Sequence, residues 1–321
     1  MALLDVQSLT TYYTTLRGDV RAVEGVSFQV ETKQAMGLAG ESGCGKTTVA
    51  LSLLKILPPG GRIVSGKILF DDKDIIKFSE DRMRKEIKWK GISLVFQGAM
   101  NALNPLQKVG DQIVEAIKTH EKHVSKREAW ERSEKLFELV GVDPSRINNY
   151  PHEFSGGMKQ RSMIAMALAC NPKLLIADEP GTALDVIVQA QVLKLLRDLK
   201  EKLGLAMILI THDLSIISDT CDKTAIMYAG KLAEYGDVVT IFKEPLHPYT
   251  QGLMGAFPSI KAQKTRMISI SGSPPDLLNP PGGCRFHPRC KYAMPICEKE
   301  EPPFLDVGNN HYVSCHLMNK T

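Results

Sequence analysis

Nine residues, Gly40 to Thr48, read GESGCGKTT and satisfy the pattern G-x-x-x-x-G-K-[ST]. They lie between an apolar run, AMGLAG (Ala35–Gly40), and a helical one, TVALSLLKIL, so the pattern falls on a strand-to-helix turn. Gly40, Gly43 and Gly45 let the backbone curl until successive N–H groups face inward at phosphate oxygens, with a helix N-terminus behind them. Ser42, Cys44 and Thr48 complete this nucleotide-binding run, Cys44 as a small residue at a position whose side chain makes no ligand contact. Lys46 is placed to neutralise β/γ-phosphate charge, and the Thr47 hydroxyl to ligate Mg²⁺. The bland alternative is a glycine-rich turn without a ligand, which leaves the full motif and its flanks unexplained.

Further on, LLIADEP (Leu174–Pro180) sets two acids, Asp178 and Glu179, directly after an apolar run. Asp178 suits a Mg²⁺ that also takes phosphate oxygens, and Glu179 suits a general base for an attacking water. His212, in LITHD, ends another apolar run and could hydrogen-bond a γ-phosphate oxygen and that water. Gln97, in SLVFQGAMNALNP, could offer an amide oxygen to the metal. His120, His123, His152 and His247 read as ordinary surface or core histidines.

These groups need a frame that collects them. AMGLAG, KLLIAD (Lys173–Asp178) and AMILITH (Ala206–His212) are nearly all apolar, as strands buried on both faces are. In open α/β sheets ligands bind at the carboxyl ends of strands, so the three ends are expected to converge on one site. The alternation of such runs with helical stretches predicts an α/β domain with a largely parallel sheet. Between Asn101 and Ser155 the pattern turns to amphipathic helix, clearest in Ser125–Asp143, where Trp130, Leu136, Phe137 and Val140 recur at helical spacing and Gly141 supplies a C-cap. After about Pro245 prolines and glycines crowd together, the mark of a linker into a cysteine-rich tail.

At FSGGMKQR (Phe154–Arg161) Ser155, Gly156 and Gly157 open a helix whose first amides form a second anion-binding surface. With that run the ordered motifs resemble the ATP-binding subunit of an ABC transporter, more narrowly of a dipeptide/oligopeptide importer, across essentially the whole chain. The resemblance makes Gly40–Thr48 the Walker A loop, Gln97 the Q-loop residue, Ser155–Met158 the signature, Leu174–Glu179 Walker B, Ala183–Asp185 a D-loop with Asp185 at the nucleotide, and His212 the switch histidine. It departs from the common Leu-Ser-Gly-Gly-Gln signature at Phe154 and Met158. It implies a P-loop (RecA-like) ABC ATPase core over residues 1–260, a helical subdomain at about 101–165, and a C-terminal cysteine-rich metal-binding region over 261–321. It also implies a head-to-tail dimer with a second ATPase subunit, a copy or a paralogue, sandwiching two ATP molecules. Tyr13 matches the family's adenine-stacking aromatic, with Tyr12 the neighbouring alternative.

Four of the seven cysteines, Cys284, Cys290, Cys297 and Cys315, stand in a C-x5-C-x6-C-x17-C spacing. These gaps are wider than the close pairs of structural zinc sites, and four thiolates suit a [4Fe–4S] cluster. Zinc and a set of unmetallated thiols are the alternatives. The resemblance adds weight to iron–sulfur, since importer ATPases of this type often carry such a cysteine set. Cys170 and Cys221 read as core, and His287, His311 and His316 as bystanders to the tail.

The remaining composition narrows the classes. Lys+Arg 40 nearly balances Asp+Glu 36, so no nucleic-acid partner is expected, Arg285, Arg289 and Lys291 being the one hint of it. The first residues lack a basic region and an apolar core, so no secretory signal is expected. No apolar run approaches the ~20 residues of a membrane span. With these exclusions, the resemblance implies a peripheral ATPase on the cytoplasmic face of the membrane, docked on transmembrane permease subunits and coupling hydrolysis to uptake of dipeptides or oligopeptides brought by an extracytoplasmic binding protein. Importers of another solute, nickel or a sugar, and a soluble ABC ATPase are the alternatives.

Overall fold

Short apolar runs become strands and the segments between them helices over the residues that the computed structural model describes, 2–98, 101–255 and 270–318. The strands are β1 (Ala2–Thr15), β2 (Gly18–Glu31), β3 (Ala35–Ala39), β4 (Gly61–Phe70), β5 (Lys73–Asp74), β6 (Ile92–Val95), β7 (Leu174–Asp178), β8 (Ala206–Ile210), β9 (Lys223–Tyr228), β10 (Lys231–Asp237), β11 (Phe304–Asp306) and β12 (Tyr312–Ser314). The chain divides into two compact units, one of residues 31–35 and 77–210, the other of 2–30, 36–76 and 211 onward. The boundary expected at 260/261 lies outside the described residues.

The first unit holds β6, β7 and β8, parallel and adjacent, with Ile92 opposite Leu174 and Leu174 opposite Ala206. Every residue of β7 and β8 is buried, which explains their unbroken apolar sequence. The segment expected to be helical contains helices Val109–His120 and Lys126–Leu139, followed by Gly156–Ala167. Ser125 caps the second by accepting the Glu128 N–H at 3.1 Å. Val140 is its cap residue, and Gly141 follows at φ +69° with Val142 N–H returned to the Phe137 carbonyl, the bond pattern that lets a glycine end a helix. Leu136, Phe137 and Val140 are buried as expected, with Phe137 edge-on to Phe154. Trp130 is not: it lies half-buried with Nε1 donating to Glu134, and the smaller Ala129 and Ser133 fill the inner face. A bulky indole finds its amphipathic place at the margin, where its N–H has a partner.

The second unit is more antiparallel than the sequence pattern suggested. β1 and β4 pair antiparallel in a sheet ordered β2-β1-β4-β5. β3 runs parallel to β9, and β9, β10, β12 and β11 continue antiparallel. The tail thus adds two strands to the edge at β10. The stretch read as linker after Pro245 contains a helix, Pro248–Gly255, that buries Tyr249 completely. Its proline stands at the helix start, where a missing N–H costs nothing.

Candidate nucleotide site

The phosphate loop leaves fully buried β3 and enters helix Lys46–Leu54, which stops short of the apolar run's end because Lys55 turns left-handed at φ 52°. Gly40 sits at φ +144°, and a Cβ there would stand 2.1 Å from the Met227 carbonyl oxygen. Gly45, at φ +105°, would place a Cβ 2.2 Å from the Ala22 carbonyl oxygen. Both positions combine a left-handed backbone with close backbone approach, so only glycine fits. Gly43, with φ +79°, faces open space, and Ser42 and Thr47 are exposed. Lys46 is buried, its ammonium donating to the carbonyls of Gly40 (2.7 Å) and Glu41 (3.0 Å) and lying 3.7 Å from Cys44 Sγ. Burial pushes the Cys44 thiol pKa up, so this cysteine is a neutral, inert packing residue. A backbone ring that excludes side chains, with a lysine drawn to its neck, is a cradle that fits a triphosphate.

Tyr13 belongs with this loop: its hydroxyl is 3.4 Å from Thr48 Oγ1 in the following helix. Tyr12, the next residue on the strand, faces the other way and is linked to Glu24; burial, then the Glu24 charge, raises its pKa. His212, also in this unit, is exposed just after β8.

In the first unit β7 delivers Asp178 at 2 % exposure, and Glu179 follows at φ 45°, a left-handed conformation that a glutamate adopts at a cost. Its N–H donates to the Ile210 carbonyl at 2.9 Å, which fixes the turn. The carboxylate is held from two sides. Thr182 Oγ1 donates to Oε2 at 2.8 Å, and Gln97 Nε2 donates to the same oxygen at 3.1 Å. Sequence reasoning placed Gln97 near the metal and missed Thr182; its partner in this geometry is the proposed base itself. Asp178 and the Thr47 hydroxyl are hard oxygen donors of the kind Mg²⁺ takes.

Ser155 accepts the Met158 N–H at 3.3 Å and caps helix Gly156–Ala167, whose first turn carries no acidic residue. Gly157 packs tightly, since a Cβ would fall 2.7 Å from Val188 Cγ1. Asp185 caps the neighbouring helix Val186–Leu203 by accepting the Val188 N–H at 2.9 Å, so its carboxylate has a structural duty.

The tail's expected metal shell finds no support: among the described residues no group of three or more His, Cys, Asp or Glu side chains is placed to hold a metal ion. Cys284, Cys290, Cys297 and Cys315 are free thiols, the last two buried. Burial pushes the Cys284 thiol up to about 11, and the charges of Cys297, Cys315 and Cys290 add to the rise. The three tail histidines face oxygen: His287 Nδ1 lies 2.9 Å from the Cys284 carbonyl, His311 Nε2 2.7 Å from Glu234, and His316 Nε2 2.9 Å from the Glu300 carbonyl. Arg285 pairs with Glu24, and Arg289 with Glu41, so two of the three cations read as a hint of nucleic acid are engaged inside the unit.

Comparison with known proteins gives the class of a nucleotide-hydrolysing cassette. Residues 23–182 match the ABC transporter family and residues 233–297 the oligopeptide/dipeptide transporter C-terminal region. The chain is 46 % identical, over 99 % of its length and 89 % of the relative's, to the oligopeptide transport ATP-binding protein OppD of Bacillus subtilis. It is 42 % identical, over 99 % of its length and 98 % of the relative's, to the dipeptide transport ATP-binding protein DppD of Caldanaerobacter subterraneus. Among solved structures, the ABC cassette MJ0796 in a dimeric post-hydrolysis state with ADP and Pi shares the fold at TM-score 0.65 and 24 % identity, over 73 % of this chain and 98 % of that one. The cbiO1 protein of Clostridium perfringens, part of the ABC transporter complex cbiONQ, gives TM-score 0.64 at 28 % identity over 76 % of this chain and 91 % of that one. The chain belongs to the ABC transporter ATP-binding proteins, in their oligopeptide/dipeptide branch.

Proposed function

We propose that this chain is the ATP-binding and ATP-hydrolysing subunit of an ABC importer for dipeptides or oligopeptides. The observation that carries the catalytic part is the Glu179 carboxylate, fixed by Thr182 and Gln97 directly after buried Asp178. Gly40–Thr48 would cradle the triphosphate, Tyr13 would stack on adenine, and Lys46 and His212 would stabilise charge as it moves to the leaving phosphate. Glu179 would take the proton of the attacking water. Thr47, Asp178 and Gln97 are the residues that would hold Mg²⁺, which supplies charge neutralisation when bound. Ser155, Gly156 and Gly157, with Asp185, would serve the nucleotide of a second ATPase subunit. No helix among the described residues is long and apolar enough to cross a membrane. The likeness to oligopeptide and dipeptide transport ATP-binding proteins supports a peripheral subunit on the cytoplasmic face, docked on permease subunits and served by an extracytoplasmic binding protein.

The test is reconstitution of the chain with its paired ATPase and permease in vesicles, with binding protein outside. ATP-dependent accumulation of a labelled dipeptide, lost in Lys46→Ala, is expected. ATP hydrolysis without uptake of any di- or oligopeptide would remove the substrate assignment.

For the tail, we propose that the four thiols bind a [4Fe–4S] cluster, with zinc as the alternative; the reading rests on the C-x5-C-x6-C-x17-C spacing of Cys284, Cys290, Cys297 and Cys315 in the sequence. Anaerobic purification with iron, sulfide and zinc analysis of wild type and Cys290→Ser decides: about four irons per chain, lost in the variant, is expected, and protein with neither metal refutes it.

A further inference from the structure

Glu41 occupies the first variable position of the phosphate loop, where a carboxylate beside amides that face an anion is an electrostatic burden. Three groups from distant parts of the sequence hold that residue. The Tyr249 hydroxyl accepts its N–H at 2.9 Å, and the Lys46 ammonium donates to its carbonyl at 3.0 Å. Arg289, on the short turn between Cys284 and Cys290, grips its carboxylate with two bonds, Nη1 to Oε2 at 2.6 Å and Nη2 to Oε1 at 2.9 Å. The guanidinium is itself fixed, with Nε donating to the Ser271 carbonyl at 2.9 Å and Nη1 reaching the Tyr228 hydroxyl at 3.3 Å, and its side chain is 5 % exposed. This fork is the geometry in which arginine neutralises and orients a carboxylate at once. A second strut runs alongside: Arg285 donates to the Ala229 carbonyl and pairs with Glu24, and the next residue, Gly230, donates its N–H to the Cys44 carbonyl at 2.9 Å.

We propose that Arg289 is a positioning residue for the phosphate loop, neutralising and orienting Glu41 so that affinity for a nucleoside triphosphate depends on the cysteine tail being seated. The inference rests on the loop being a nucleotide site. Two effects separate on removal of Arg289. The loop loses one of its three holds at Glu41, and an uncompensated carboxylate then faces the ligand. Only the second is cured by removing the carboxylate as well.

The experiment measures Mg·ATP binding calorimetrically on the full-length chain for wild type, Lys46→Ala, Arg289→Met, Glu41→Gln and the Arg289→Met/Glu41→Gln double variant, with a thermal melt of each without nucleotide. Arg289→Met is expected to weaken ATP about tenfold, within the range of coupling between two sites. The double variant is expected to regain most of that loss. A tail that merely props the fold predicts instead that the double variant binds no better than Arg289→Met, and that result overturns the proposal, as does wild-type affinity in Arg289→Met. Should Arg289→Met fail to fold, Arg289→Lys keeps the cation but loses the fork, with a loss of about threefold expected, again recovered by Glu41→Gln; unchanged affinity there also overturns it. Failure of the nucleotide reading looks different: wild type and Lys46→Ala would then bind ATP alike or not at all.

Discussion

Ser155→Ala and Ser155→Asp separate the two duties that one side chain performs. Its hydroxyl caps helix Gly156–Ala167 through the 3.3 Å bond from Met158 N–H. Losing a serine cap costs about 1 kcal/mol, which lowers a melting temperature by about 2–4 °C in a unit of this size. Aspartate caps as well as serine and adds charge that favours the helix N-terminus, so Ser155→Asp restores the melt or raises it. Its effect on hydrolysis runs the other way. The helix carries no acid in its first turn, as suits an end kept open for a phosphate of a second subunit, and a carboxylate there opposes that phosphate. Like-charge opposition costs several kcal/mol, so ATP turnover at saturating protein is expected to fall by about a hundredfold or more, while Ser155→Ala falls far less. The assay is a phosphate-release measurement across protein concentration, paired with thermal unfolding of the same samples. Wild-type turnover in Ser155→Asp would refute the view that this helix end meets an anion.

Three further outcomes are expected. Glu179→Gln keeps ATP binding and lowers hydrolysis by ~10²–10⁴-fold, and single-turnover phosphate release at normal rate would remove the base assignment. Gly45→Ala abolishes ATP binding because a Cβ would stand 2.2 Å from the Ala22 carbonyl oxygen, whereas Gly43→Ala, with nothing within 4 Å, bears only backbone strain of about 1–3 kcal/mol and retains binding at reduced affinity; equal losses in calorimetry would contradict this. His247 is buried and its pKa is lowered to about 4, chiefly by burial. Its neutral form is required, so its contribution is complete above the unfolded value of 6.5 and is lost as pH falls from there toward 4. Melting temperature should therefore drop over that window in wild type, and the drop should shrink in His247→Asn.

The proposed catalytic residues stand out in the sequence because phosphate chemistry is written locally: glycines at fixed offsets in Gly40–Thr48, and acids directly after the buried run of β7. The parallel strands β7 and β8 were equally legible, since burial on both faces leaves an uninterrupted apolar sequence. β1 and β2 were not, because each mixes buried residues with half-buried and exposed ones over fourteen positions and carries no unbroken apolar run. Helix Pro248–Gly255 hid behind its proline and glycines, and only the burial of Tyr249 against Tyr228 and Phe286 makes sense of it. Glu41, Thr182 and Arg289 escaped for another reason. Each acts through a partner that folding brings near, and Glu41 in particular occupies a loop position that the motif leaves unspecified.

The fork between Arg289 and Glu41 spans 248 residues of chain. At the usual pace of synthesis, the loop emerges from the ribosome roughly 12–50 s before the arginine that grips it. Throughout that interval a growing chain carries a phosphate loop whose carboxylate lacks this counter-charge, and the same holds for any product released early by a stop upstream of the tail.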